Sequence, residues 1–210
     1  MQIETSSLPL RTPVIAACIG LLSALALAAL PMSAAAQAQT IEGRQFEGQA
    51  RVANAELALN GVGLRGVAWI KGYVAGLYLT HKATTAAEAV VAPGPKRLQM
   101  VMLMEVSAAD FIHAFQVGMH GNTTATERAA LEKRMRQFEG LIEGVGKVTR
   151  GDVVDLDFLP GRGLLFSVNG KPRGEAIPGA DLYEALLRIF LGDKPVDSKL
   201  KAGLLGAPAP

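Results

Sequence analysis

Between Leu57 and Leu79 the chain runs through Val, Leu, Ile, Trp and Tyr without one Asp or Glu, with glycines at positions 61, 63, 66, 72 and 76. Branched and aromatic residues of this kind suit a pleated, half-buried surface, yet strands average only about five or six residues. The segment therefore predicts two strands, with a bend or bulge among Gly61, Gly63 and Gly66.

The rest of the chain follows from periodicity and turn chemistry. Gln39 to Ala55 reads as a lead-in with a first strand, Thr85 to Val91 as a short helix, and Lys96 to Glu105 as an apolar strand. Ser107, with Asp110 three residues on, opens a helix whose buried face carries Ala108, Phe111, Ile112, Phe115 and Met119. A longer helix starts at Thr124 or Thr126 and runs to about Ile142. Asp152–Leu159, Gly163–Val168 and Arg173–Ile177 predict short strands, joined in part by Asn169-Gly170, the strongest hairpin signal in the chain. Helices over Ala180–Leu191 and Asp197–Leu204 close the domain, and 206–210 form a disordered tail. Strands, two helices, a meander and more helices do not alternate as βαβ units do. The expected class is α+β, an antiparallel sheet with helices packed on one face.

Residues 1–38 have a different character. Arg11 precedes an uncharged apolar run from Val14 to Leu30, and small residues follow it at Ala34-Ala35-Ala36-Gln37-Ala38. That order predicts a secretory signal peptide cleaved after Ala36 or Ala38, and hence a periplasmic or secreted domain over 39–205. An uncleaved anchor is the competing reading, since the run sits at the short end of a spanning helix. Cys18, the one cysteine, lies inside the run, so the exported protein is expected to carry no disulfide and no thiol chemistry. The net charge of +2 is no footprint for nucleic acid. Membrane contact is expected only during export.

Metal and nucleophile patterns are weak. His113 and His120 stand seven apart and His81 is distant, spacings that fit solvated side chains better than a metal or haem set. There is no nucleophile elbow, and Gly61-Val62-Gly63 lacks the third glycine of a dinucleotide fingerprint. Asp152, Asp155 and Asp157 read as solvent-side strand residues. No cofactor, metal or catalytic set is expected.

Arg65 is more informative. No acid lies between Leu57 and Ala87, although Arg65, Lys71 and Lys82 do, and an arginine cannot shed its proton when buried. Its counter-charge is a distant carboxylate such as Glu105, solvent, or an anionic ligand. Tyr73 and Tyr78 follow closely, and a phenol beside a guanidinium suits a carboxylate head group. Arg65, Tyr73 and Tyr78 are thus the candidate ligand-binding residues.

Asn60-Gly61-Val62-Gly63-Leu64-Arg65-Gly66, with Lys71-Gly72-Tyr73-Val74-Ala75-Gly76-Leu77-Tyr78-Leu79 and the closing run from Ala185 through Gly192-Asp193-Lys194-Pro195-Val196-Asp197, resembles the chalcone isomerase fold family, in its bacterial secreted branch. The resemblance implies an open-faced β-sandwich with a ligand cleft between a large antiparallel sheet and its covering helices. It also implies that Arg65 and Tyr73 match the arginine and tyrosine that hold a fatty-acid carboxylate in the plant fatty-acid-binding members. In the isomerases the arginine is kept, the tyrosine position is a threonine, and a further tyrosine and asparagine act from a helix. Phe111 and Gly118 fall at those two positions here, and a further family threonine has no match near Ile177-Pro178-Gly179-Ala180. The expectation is a non-catalytic protein binding a small amphipathic carboxylate such as a fatty acid. The alternatives are an isomerase-type intramolecular lyase and a haem- or metal-binding envelope protein.

Overall fold

The computed structural model of the protein describes residues 1–2, 37–67 and 69–207. The expected signal peptide, apart from its ends, and residues 208–210 of the expected tail lie outside them. The lead-in forms three short strands, β1 (Gln39–Ile41), β2 (Arg44–Phe46) and β3 (Gln49–Val52). The glycine-studded run forms β4 (Ala55–Val67) and β5 (Ile70–Leu79). Their antiparallel register slips between Leu59 and Gly61 and again between Arg65 and Gly66, so the glycines bring bulges rather than a break.

Next come α1 (Ala86–Val91), β6 (Lys96–Met102), β7 (Val106–Ser107), α2 (Ala108–Asn122) and α3 (Ala125–Val145). The side chains of Thr85, Ser107 and Thr124 each accept a bond from the backbone N–H three residues on, and Glu88 and Glu127 complete capping boxes. Each cap satisfies a donor that the first helical turn leaves orphaned. Beyond α3 lie β8 (Lys147–Val148), β9 (Val153–Leu159), β10 (Gly163–Val168), β11 (Lys171–Pro172), α4 (Ala180–Leu191) and α5 (Ser198–Leu204). The strand expected over Arg173–Ile177 is not formed. β11 pairs at Lys171 and Pro172, and Ile177 returns to the sheet as a single bridge to Leu164. Gly174, at positive φ, bends the chain between.

Seven strands make one antiparallel sheet in the order β11-β10-β9-β6-β5-β4-β3. The helices pack on one face, where Ala75, Leu77, Met100, Met102 and Leu156 meet Phe115, Phe138, Leu186 and Leu200. α4 is the most deeply set, with Leu182, Leu187 and Leu191 fully buried, each contributing about 1.5–3 kcal/mol through removal of apolar surface from water. Its Tyr183 hydroxyl donates to the carbonyl of Leu156 at 3.0 Å.

The opposite sheet face carries a smaller apolar cluster built on Phe46, Leu57, Leu59, Val74 and Tyr78. Here the reading of Asp155 and Asp157 as solvent-side residues is corrected: they are 6% and 4% exposed. Arg97 binds Asp157 through two bonds of 2.7 Å, and the Gln99 amide donates to Asp155 at 2.9 Å. Alternation along β9 puts both carboxylates on one face, and their partners sit directly opposite on β6. Burial raises the Asp157 pKa above the ordinary carboxylate value, against the pull of Arg97.

Candidate ligand-binding site

The site begins with how α5 is seated. Gly61, Gly63 and Arg65 pair with Leu77, Ala75 and Tyr73 and so share the helix-covered face of β4. A side chain at Gly63 would come within 2.7 Å of the Leu200 carbonyl, and one at Gly61 would strike the carbonyl of Gly203. Only a bare backbone lets α5 lie this close to the strand. Asn60 ties the joint on its other side, its amide nitrogen donating to the carbonyls of Ala83 and Leu204 at 2.9 and 2.8 Å.

Arg65 is the next residue along that row, level with the start of α5. Asp197 caps the helix there, accepting from the N–H groups of Lys199 and Leu200 at 2.8 and 3.0 Å through one oxygen. Its other oxygen lies 3.4 Å from the Gly66 nitrogen. Arg65 is half-buried and makes no ion pair among the described residues. Glu105, a possible counter-charge from the sequence, instead meets Lys147 at 2.9 Å.

Tyr73 stands opposite Arg65 on β5 and opposite Met102 on β6. Burial raises its phenol pKa well above the ordinary value; nearby Arg65 works against the rise and Asp197 adds to it. The hydroxyl therefore stays protonated at neutral pH and is available as a donor.

Two spaces meet here. Tyr73 lines an almost wholly apolar cavity of about 100 Å³, walled by Met100, Met102, Phe111, Phe115, Phe138 and Phe190 among others. Arg65 lines an outer chamber of about 480 Å³, together with His113, Val117, Gly118, Lys194 and Pro195. Ala114 and Val196 border both spaces. The outer chamber has no acidic side chain in its wall. Lys194 is fixed by Asn122, whose amide nitrogen donates to the Lys194 carbonyl at 2.8 Å and whose oxygen accepts from the Lys194 nitrogen at 3.1 Å.

The structure brings Arg65 and Tyr73 to one place and leaves Tyr78 elsewhere. Tyr78 packs in the cluster on the opposite sheet face, opposite Arg97, and burial pushes its pKa up to about 12. Tyr78 lies five positions after Tyr73 within one strand, an odd step, so the two point to opposite faces. His113 and Lys194 were not among the residues picked from the sequence. The helical spacing of Ala114, Val117, Gly118 and Gly121 on α2 marks the chamber wall that His113 borders. Gly118 is the point where α2 crosses α4: a side chain there would come within 2.5 Å of Ile189. His81 lies beside the Thr80 hydroxyl at 3.2 Å, and no group of three or more His, Cys, Asp or Glu residues suited to a metal occurs among the described residues.

Comparison with known proteins agrees with this architecture. No curated protein matches the sequence. Among solved structures, a fatty-acid binding protein from Arabidopsis thaliana superposes with a TM-score of 0.62 at 17% identity, covering 80% of this chain and 95% of that one. At that identity the likeness establishes the fold. A family model described as chalcone isomerase-like matches residues 38–206, and by that match the chain belongs to the chalcone isomerase-like family.

Proposed function

We propose that this protein is a non-catalytic carrier or sensor of a small amphipathic carboxylate, a fatty acid, and that it works in the periplasm after removal of residues 1–38. One observation carries the reading. A guanidinium with no carboxylate partner among the described residues stands across from a protonated phenol that lines an apolar cavity. Such a pair fits a carboxylate head group, with the guanidinium offering a fork and the phenol a further donor. The cavity beyond it fits an alkyl tail. That the Arabidopsis protein of the same fold is a fatty-acid binding protein is consistent with this reading.

The walls favour binding over ring closure. Phe111 lines the apolar cavity and Gly118 the outer chamber, so the positions that resemble the polar residues of the isomerases offer no side-chain hydrogen bond. Fold likeness alone does not transfer an activity.

Two measurements test the proposal. Protein recovered from the periplasmic fraction should begin near Gln39 on N-terminal sequencing and release a fatty acid into an organic extract. A protein found in the membrane fraction with residues 1–38 attached would overturn the location. Stereoselective turnover of a chalcone that disappears in Arg65→Ala would overturn the binding role in favour of catalysis.

A further inference from the structure

If the site holds a carboxylate as proposed above, the shape of the cavity limits which one. We propose that it selects short acyl chains, of about eight carbons or fewer, and that Phe111 sets the limit. The cavity measures about 100 Å³, whereas an apolar cavity of about 150 Å³ holds a benzene ring. Fewer than about six carbons therefore fit inside it, with two or three more needed to pass Ala114 and Val196, which border both spaces, and reach Arg65.

The floor is built to resist enlargement. Phe138 packs edge-on against Phe115 at 5.1 Å and against Phe166 at 5.6 Å between ring centres, contacts that hold each ring through its quadrupole. The lateral end is different. Val106 and Phe111 wall the cavity and also wall a small void beyond it, which reaches Ile142, Val145 and Val148. Phe111 is only partly buried, so its ring acts as a partition whose removal joins the two spaces without emptying the core. A long chain that does not pass the rings keeps its distal carbons in the outer chamber, beside Arg65, His113 and Lys194, and gains less from their burial.

The test is a calorimetric series on the full exported domain with butanoate, hexanoate, octanoate, decanoate and dodecanoate. Each methylene that enters an apolar site strengthens binding about fourfold. Affinity is expected to climb at about that rate as far as octanoate and then level off. A climb that continues undiminished to dodecanoate overturns the length limit and leaves the carboxylate reading standing. No binding at any length overturns the carboxylate reading and this inference with it. In Phe111→Ala the plateau is expected to move to decanoate or beyond. A plateau that stays at octanoate in folded Phe111→Ala overturns the role of that residue. If the variant does not fold, the wild-type series still decides the limit.

Discussion

Arg65 and Tyr73 face each other across neighbouring antiparallel strands, yet they border different spaces, the guanidinium an outer basic chamber and the phenol an inner apolar cavity. Directly opposed side chains lie about 5 Å apart at Cβ, so one small head group can engage both. The placement of Arg65 depends on the bare backbone before it: Gly61 and Gly63 admit α5, and Arg65 emerges where α5 begins.

That dependence predicts a stability effect. Gly63→Ala forces a methyl group against the Leu200 carbonyl, a backbone atom that moves only with its helix. Overpacking of this kind costs about 1–3 kcal/mol, so the urea midpoint should fall. Because Arg65 emerges where α5 begins, displacing the helix should shift Arg65 and weaken carboxylate binding in the same variant. An unchanged midpoint would mean that α5 does not rest on these glycines.

Arg65 and Arg97, on the strands β4 and β6, should behave in opposite ways. Arg97→Ala strands Asp155 and Asp157 in the interior without their guanidinium, and breaking a buried pair in this way costs about 3–5 kcal/mol. Arg65→Ala removes a half-buried charge with no ion-pair partner and should shift the unfolding midpoint by less than about 1 kcal/mol. Urea denaturation of the two variants side by side reads the contrast, and equal losses would contradict it.

All three tyrosines of the chain, Tyr73, Tyr78 and Tyr183, have phenol pKa values raised by burial, that of Tyr78 to about 12 from an ordinary 10.0. The folded protein therefore holds these protons after the unfolded chain has released them. The stability this contributes is complete below about pH 10 and is lost as pH rises through the folded-state values. Unfolding midpoints should hold up to about pH 10 and fall as pH rises from there toward about 12, and tyrosinate absorbance should appear together with unfolding. A phenol that titrates near its ordinary value in the folded protein would show that its site is open to water.

Much of the fold was legible because its signals are local. Thr124, Ser107 with Asp110, and Asn169-Gly170 each act within a few residues, and the starts of α2 and α3 and the tight turn after β10 fall where those residues put them. What failed was non-local. Nothing near Asp155 and Asp157 in sequence reveals Arg97 and Gln99, which reach them from a strand far back in the chain. The strand expected over Arg173–Ile177 fails at Gly174, whose positive φ turns the chain away from the sheet before Ile177 returns to it. Tyr78 was grouped with Tyr73 by proximity in sequence, although strand alternation assigns them to different faces. His113 and Lys194 come to Arg65 only through the packing of α2 and the turn before α5.

The central claim is that Arg65 holds a carboxylate, and titration calorimetry of the protein with octanoate tests it most directly. Loss of one partner in a buried charged pair costs about 2–5 kcal/mol. The account predicts measurable binding by the wild type, weakened at least about tenfold in Arg65→Ala and to a smaller degree in Tyr73→Phe. Octanoate binding of equal strength in wild type and a folded Arg65→Ala would contradict it.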